Sequence, residues 1–164
     1  MPNPEPITAI LNYPRITPCL AYKDPGSAIN WLEKNFGFNN RLAIPGDDGG
    51  IVHGELAVED SLVIIGPSQG YHENNVSPDE VGGKFTQSIN VYVRDVDAHY
   101  EWAKQNGATI INAPEDMFYG VRKYEVLDCE GHLWVFSQKM KEITREGMLP
   151  AIVPADSGPS STPE

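Results

Sequence analysis

His53 and Glu55 are the pair of residues in this sequence best placed for acid–base chemistry. They stand two positions apart in the alternating run 52–58, and residues two apart share one face of a β-strand. An imidazole beside a carboxylate could act as a general base with its orienting group, or as two ligands of a metal ion. Because a His-x-Glu pattern is common, a polar pair that only lines a pocket is the other interpretation, and the sequence leaves both open.

A second group of polar and aromatic residues is suited to binding a small organic molecule. Alternation places Ile89, Val91 and Val93 on the helix side of one predicted strand and the residues between them on the other side. Aromatic rings supply burial and stacking, amide and hydroxyl groups supply hydrogen bonds, and a guanidinium can clamp a carboxylate. Core packing of the tyrosines and a salt bridge of the arginine are equally consistent with the sequence. The predicted ligand-binding residues are Ser88, Asn90, Tyr92, Tyr119, Arg122 and Tyr124.

Composition narrows the classes of partner. The net charge of -11 disfavours nucleic acid, whose phosphates are bound by lysine and arginine. The two cysteines, Cys19 and Cys129, form no CxxC pair and favour a reducing cytoplasm over a disulfide-bonded secreted fold. No apolar run approaches the roughly 20 residues that span a bilayer. We therefore expect a cytoplasmic protein with a small organic partner, no nucleic-acid or membrane partner and no cofactor.

An internal repeat at an offset of 71 residues organises the chain, since it brings Trp31 onto Trp102 and Asp24 onto Asp95. Each aspartate follows an apolar alternating run and predicts a helix N-cap, and each helix is predicted to stop at a glycine-containing step, Gly37 or 106–107. Three β-like runs follow each helix. They cover about 40–44, 51–58 and 61–65 in the first copy, and 109–112, 120–127 and 132–137 in the second.

This order predicts an α+β fold of two βαβββ modules, whose curved half-barrel sheets surround a cup. The first strand of module 1 is expected over Ile16 to Tyr22. The predicted divisions are an N-terminal extension (1–14), module 1 (15–66), a linker (67–84), module 2 (85–138) and a C-terminal helix with a flexible tail (139–164). The helix is expected over 139–146.

Three segments carry a resemblance to a known family. The stretches ITPCLAYKDPGSAINWLEKNFGF, VHGELAVEDSLVIIGP and YGVRKYEVLDCEGHLWVF, in this order, resemble the bleomycin-resistance-like branch of the glyoxalase/bleomycin-resistance/extradiol dioxygenase superfamily, also called the vicinal oxygen chelate superfamily. The resemblance covers roughly residues 15 to 138. It implies modules paired around a cup, often across a homodimer.

Enzymes of that superfamily hold a divalent metal with four side chains that face the cup. The resemblance assigns these positions to Thr17, Ile64, Ser88 and Val135, none of which is a histidine or a carboxylate. We therefore expect no metal. The function predicted is a metal-free small-molecule-binding protein, with drug sequestration or resistance as a role. The alternative is a glyoxalase-like lyase or isomerase that uses His53 and Glu55 with no metal or an atypical one.

Overall fold

A computed structural model describes residues 13–144 and residue 147. In module 1 the elements are β1 (Cys19–Tyr22), α1 (Pro25–Phe36), β2 (Asn39–Pro45), β3 (Ile51–Val58) and β4 (Ser61–Pro67). A short 3-10 helix (Pro78–Val81) lies in the linker. In module 2 the elements are β5 (Ser88–Tyr92), α2 (Val96–Gln105), β6 (Thr109–Asp116), β7 (Val121–Leu127) and β8 (Leu133–Lys139).

The strands form two four-stranded mixed sheets of the same topology. Their orders are β1-β4-β3-β2 and β5-β8-β7-β6, and in each sheet the first strand pairs in parallel with the last strand of its own module. The remaining pairs are antiparallel. The predicted α+β fold of two βαβββ modules is confirmed. β4 ends at Pro67 and β8 at Lys139, each one residue beyond the predicted module.

Both helices begin at the predicted aspartate caps. The Asp24 carboxylate accepts the backbone N–H of Ser27 at 3.0 Å, and the Asp95 carboxylate accepts that of Ala98 at 2.9 Å. These bonds satisfy N–H groups that the first turn of a helix leaves without partners. Helix α1 ends at Gly37, which has a φ of 71°. Glycine takes this left-handed conformation without the clash of a Cβ atom.

One hydrophobic core joins the two modules. Helix α1 buries Ala28, Ile29, Leu32 and Phe36 against its sheet. The ring of Phe36 also reaches module 2, where its centroid lies 4.9 Å from that of Phe136. The modules are therefore packed together within one chain.

A buried carboxylate also ties the modules together. The side chain of Asp128, in the turn before β8, accepts the hydroxyl of Tyr22 at 2.6 Å and the indole N–H of Trp134 at 2.9 Å. The Glu130 carboxylate accepts the backbone N–H of Lys23 at 2.8 Å, at the entrance to α1. His132 in module 2 makes a further contact of this kind, since its Nε2 lies 2.9 Å from the carbonyl oxygen of Ala21 in module 1.

Two predicted boundaries are wrong. Strand β1 begins at Cys19 and not at Ile16, since the residue before it is a proline, which has no N–H to donate. The helix expected from Lys139 does not begin there, because β8 continues through this residue and 140–144 are not helical. The N–H groups of Met140 and Lys141 donate instead to the carbonyl oxygen of Gly120. The predicted tail lies outside the described residues.

Within the part of the chain that the structure describes, no helix has the length and apolar character that a membrane crossing requires. The cytoplasmic location stays a prediction from the cysteine usage.

Candidate functional site

The modules differ by one residue in the hairpin that precedes the last strand of each. Four residues (58–61) separate the paired residues Ala57 and Leu62 in module 1. Five residues (128–132) separate the equivalent pair, Leu127 and Leu133, in module 2. The offset between modules is therefore 70 residues at β3 and β7 but 71 at β4 and β8. A shift of one residue moves a side chain to the other face of its strand.

Tyr124 lies on the opposite face from the one predicted because of this shift. It is the counterpart of Gly54, not of His53, and it is fully buried beneath α2. Its ring stacks on Phe136 at a centroid distance of 5.4 Å, and its hydroxyl lies 2.7 Å from Nδ1 of His99. The assignment of Tyr124 as a cup residue was wrong; it is a core residue.

Arg122 is two residues before Tyr124 and shares its face of β7. Its Nε lies 3.0 Å from the Asp97 carboxylate in the first turn of α2, and its Nη1 lies 3.1 Å from the Asp116 carboxylate in β6. The guanidinium is thus engaged between two carboxylates on the helix side of the sheet. Arg122 does not line the cup as predicted, and the salt-bridge alternative describes its contacts, while its role toward a ligand stays a prediction.

The other four predicted ligand-binding residues lie together on the concave face of module 2, which we call the module 2 cup. A cavity of about 220 Å³ is lined there by Ser88, Asn90, Tyr92, Tyr119, Val121, Lys123, Val135 and Ser137. The hydroxyl of Ser137 donates to Oδ1 of Asn90 at 2.8 Å, and Tyr92 is 60% exposed. Because its oxygen is held in this way, the Asn90 amide can present its N–H donors to a ligand.

Lys123 is a cup residue that the sequence prediction missed. Its Nζ lies 2.8 Å from Oε1 of Glu125, whose Oε2 accepts the amide N–H of Asn112 at 2.7 Å. The hydrogen bond from Lys123 lowers the pKa of Glu125, and the same bond raises the pKa of Lys123. The cup therefore contains a partly buried ion pair without a net charge. The length of the hairpin after β7 is the sequence signal that selects Lys123 over Arg122.

The concave face of module 1 carries a connected polar cluster around Glu55. Nε2 of His53 lies 3.1 Å from Oε1 of Glu55, and Nδ1 of His53 lies 2.9 Å from the hydroxyl of Tyr71. The Tyr13 hydroxyl also donates to Glu55, and Nε of Arg41 lies 3.4 Å from Oε2. The carboxylate is 1% exposed. Tyr13 and Tyr71 were missed because they belong to the predicted extension and linker.

These contacts decide the charge of Glu55. Burial alone would raise the pKa of this carboxyl group. The hydrogen bonds from Tyr13 and His53, with the positive charge of Arg41, outweigh burial, so the net pKa is lower than that of an ordinary glutamate. His53 and Glu55 are therefore brought together as predicted, with an ionised carboxylate whose oxygens are already engaged.

Comparison with known proteins identifies the family. Residues 13–136 match the Glyoxalase/Bleomycin resistance protein/Dioxygenase superfamily. The chain belongs to this superfamily.

Three known proteins of similar length illustrate the relationship. The uncharacterized protein Mb0911c of Mycobacterium bovis is 30% identical over 141 residues, which cover 85% of this chain and 92% of the relative. The crystal structure of TioX from Micromonospora sp. ML1 has 35% identity and a TM-score of 0.63, covering 76% of this chain and 97% of TioX. TnmS3, an antibiotic binding protein from Streptomyces sp. CB03234, shares the fold at 16% identity and a TM-score of 0.59, covering 75% of this chain and 91% of TnmS3.

The four positions assigned to the metal of superfamily enzymes do not fit such an ion here. Thr17 and Ser88 offer only neutral hydroxyls, and Ile64 and Val135 offer no donor atom at all. In residues 13–144, moreover, no group of three or more histidine, cysteine, aspartate or glutamate side chains is arranged to hold a metal ion. The metal content of the protein stays a prediction.

A wider groove of about 1060 Å³ lies between the modules and meets the module 2 cup at Tyr92, which lines both. The aromatic residues of its walls are Phe36, Phe38, Tyr92, His99, Trp102 and Phe136. Nε2 of His99 lies 3.1 Å from the carbonyl oxygen of Phe36, and burial lowers the pKa of this imidazole. His99 therefore links the two modules through a hydrogen bond, and burial favours the neutral form of its ring.

Proposed function

We propose that this superfamily member is a small-molecule-binding protein whose ligand enters the module 2 cup. The observation that carries the proposal is the cavity in which Ser88, Asn90, Tyr92 and Tyr119 come together beside Lys123. Sites for organic ligands usually combine apolar and aromatic walls with a few fixed polar groups, and this cavity combines two tyrosines and two valines with four polar or charged side chains. The description of the fold neighbour TnmS3 as an antibiotic binding protein agrees with a role in drug sequestration.

The dimensions of the site indicate a ligand that is only partly enclosed. The cup cavity of about 220 Å³ is smaller than typical ligand pockets of roughly 300–1,000 Å³. A ligand would place one end in the cup and extend over the exposed ring of Tyr92 into the groove between the modules. An aromatic ligand can stack on this ring and bury apolar area there.

The polar groups of the cup define the chemistry of the inserted end. The N–H donors of Asn90 suit a carbonyl or ether oxygen of the ligand. Lys123 is already paired with Glu125, so it does not call for a second anion. The chain's net charge of -11 also repels anionic ligands. We therefore expect a neutral or cationic aromatic molecule that carries a hydrogen-bond acceptor.

The experiment is calorimetry on one series of planar aromatic ligands that differ in the acceptor group. Tyr92→Ala should weaken the whole series by about 1–3 kcal/mol, since it removes stacking and buried area. Asn90→Ala should weaken only ligands with the acceptor, by about 1–2 kcal/mol. Val81→Ala, an exposed change outside this cup, is the control and should alter nothing. Equal and negligible effects from all three variants would place the ligand elsewhere.

We also propose that the protein forms a homodimer. The supporting observation is a set of exposed apolar side chains on the strands β2, β3 and β6, which are Leu42 at 40%, Ile44 at 43%, Val52 at 44% and Ile111 at 48%. Exposed apolar patches on soluble proteins commonly mark interfaces. Light scattering at micromolar concentration should give twice the chain mass of 18.1 kDa. A single species of 18.1 kDa would contradict the proposal.

A lyase or isomerase activity is the second candidate function, and the hydrogen bond of 3.1 Å between His53 and Glu55 favours it. In this reaction class His53 would move a proton while Glu55 orients its ring. A ligand that shifts the NMR signals of His53 and Glu55 should then be converted by the wild type, as followed by NMR, and left unchanged by His53→Ala. A ligand that the wild type also leaves unchanged over many hours would restrict the protein to binding.

A further inference from the structure

We propose that the concave face of module 1 is a second binding site, specific for phenols, which the chain's own Tyr13 occupies in this structure. The site is separate from the module 2 cup, and its case is independent of the function proposed there. Tyr13 contacts Glu55 and Arg41 directly. His53 holds Glu55 in place, and Tyr71 holds His53.

The contacts of Tyr13 are those that a free phenol would seek. Its hydroxyl donates to the carboxylate of Glu55, and a bond from a hydroxyl to an ionised acceptor is stronger than a neutral one. The guanidinium carbon of Arg41 lies 5.0 Å from the centroid of the Tyr13 ring, within the range of a cation–π interaction. The acceptor and the cation together select an aromatic ring that carries a hydroxyl group.

The groups that bind the Tyr13 ring are also held in place by residues other than Tyr13. His53 fixes Glu55 through Nε2 and is itself held at Nδ1 by the hydroxyl of Tyr71. The ring of Tyr71 packs over Gly66 in β4, where a Cβ atom would lie only 2.6 Å from the ring. A side chain at position 66 would push Tyr71 away, so glycine permits the arrangement that holds His53 and Glu55.

Tyr13 is held by the chain more than by the sheet. Residues 14–18 join it to the first residue of β1, and this connection contains Pro14 and Pro18. A group on so short a tether competes with free ligands at an effective concentration of about a millimolar or more. A free phenol must displace Tyr13, and the wild type should therefore bind phenols weakly at this site. Anionic aromatic ligands are excluded, because the Glu55 carboxylate repels them.

The experiment replaces the tethered phenol with a free one. The probe is 4-methylphenol, which is the side chain of tyrosine without its backbone, and binding is followed by NMR at the amides of β3 around His53. Tyr13→Ala should bind 4-methylphenol at least about tenfold more tightly than the wild type, because the tethered competitor is removed. Toluene, which lacks the hydroxyl, should show no comparable gain. Adding Glu55→Gln to Tyr13→Ala should remove the gain, since it removes the charged acceptor.

Two further variants test whether the gain in affinity arises at this site. Tyr92→Ala deletes a tyrosine from the module 2 cup and should not increase 4-methylphenol binding at the amides around His53. Tyr13→Phe keeps the ring and loses only the hydroxyl, so it should give a smaller gain than Tyr13→Ala. This variant also provides the test if Tyr13→Ala does not fold. Equal affinity of the wild type and the Tyr13 variants for 4-methylphenol, or a gain that toluene reproduces, would overturn the proposal.

Discussion

Replacing Asp128 with alanine should destabilise the protein more than any other single change in the turn before β8. The carboxylate receives four hydrogen bonds, from the hydroxyl of Tyr22, the indole of Trp134 and the backbone N–H groups of Glu130 and His132. Tyr22 belongs to module 1 and the other donors to module 2. One side chain therefore stabilises both the turn and the junction between the modules.

The magnitude follows from the donors that alanine would leave without a partner. Tyr22 is 0% exposed and Trp134 is 1% exposed, so water cannot replace the lost acceptor. A buried donor without a partner costs about 1–3 kcal/mol, which gives a loss of about 2–6 kcal/mol for the two side chains. Total stabilities of domains are about 5–15 kcal/mol, so the Asp128→Ala protein should lie near the limit of folding.

Urea unfolding followed by circular dichroism measures the effect, with two controls. Tyr22→Phe removes one bond without leaving a buried donor unpaired and should cost only about 0.5–1.5 kcal/mol. Cys129→Ala changes an exposed neighbour in the same turn and should stay within about 0.5 kcal/mol of the wild type. A loss for Asp128→Ala no larger than that for Tyr22→Phe would refute the reasoning.

Three other measurements test separate parts of the structure. Burial raises the pKa values of Tyr22 and Tyr124, so the stability that these neutral side chains contribute is complete below pH 10. It should be lost as the pH rises further, by up to about 1.4 kcal/mol per pH unit for each tyrosine, and urea unfolding that is unchanged from pH 9 to pH 11 would contradict this. Tyr13→Phe should raise the pKa of Glu55 in an NMR titration, because it removes a hydrogen bond that lowers this pKa, and an unchanged value would show that the bond does not form in solution. Elemental analysis after mild purification should find no stoichiometric divalent metal, and one tightly held equivalent per chain would disprove the metal-free prediction.

The fold could be predicted because its determinants are local. The aspartate caps at Asp24 and Asp95 act within their own first helical turns, and strand alternation depends on neighbouring residues. The faces of Ser88, Asn90 and Tyr92 followed from the same alternation, and the structure places them on the expected side of β5.

The positions of Tyr124 and Arg122 were predicted wrongly because the hairpin after β7 is one residue longer than the hairpin after β3. This extra residue moves the side chains of β7 to the opposite face of the strand. A constant offset of 71 residues made Tyr124 the counterpart of His53, whereas the strand pairing makes it the counterpart of Gly54. In module 1, the missing side chain of Gly54 leaves room for Ile29 of α1. In module 2, the ring of Tyr124 fills the equivalent space and lies against Tyr100 of α2. A repeat in sequence does not reveal on which side of a turn an extra residue is inserted.

The cluster on module 1 could be predicted only in part. The spacing of His53 and Glu55 placed them on one strand face, and the structure shows them in contact. Tyr13 reaches Glu55 from 42 residues away, and Tyr71, in the irregular segment after β4, reaches His53 from 18 residues away. Contacts of this kind depend on the path of loops, which carry no periodic pattern in the sequence.

The central claim, that the module 2 cup binds a small organic molecule, is tested most directly by mapping a bound ligand onto assigned backbone amides with NMR. A planar aromatic ligand identified by calorimetry should shift the amides of Ser88–Tyr92 in β5 and those of Lys123, Val135 and Ser137, which line the same cavity. The amides of β2 and β3 in module 1 should stay in place. Shifts confined to module 1, with β5 and β8 unaffected at saturation, would contradict the assignment of the ligand to the module 2 cup.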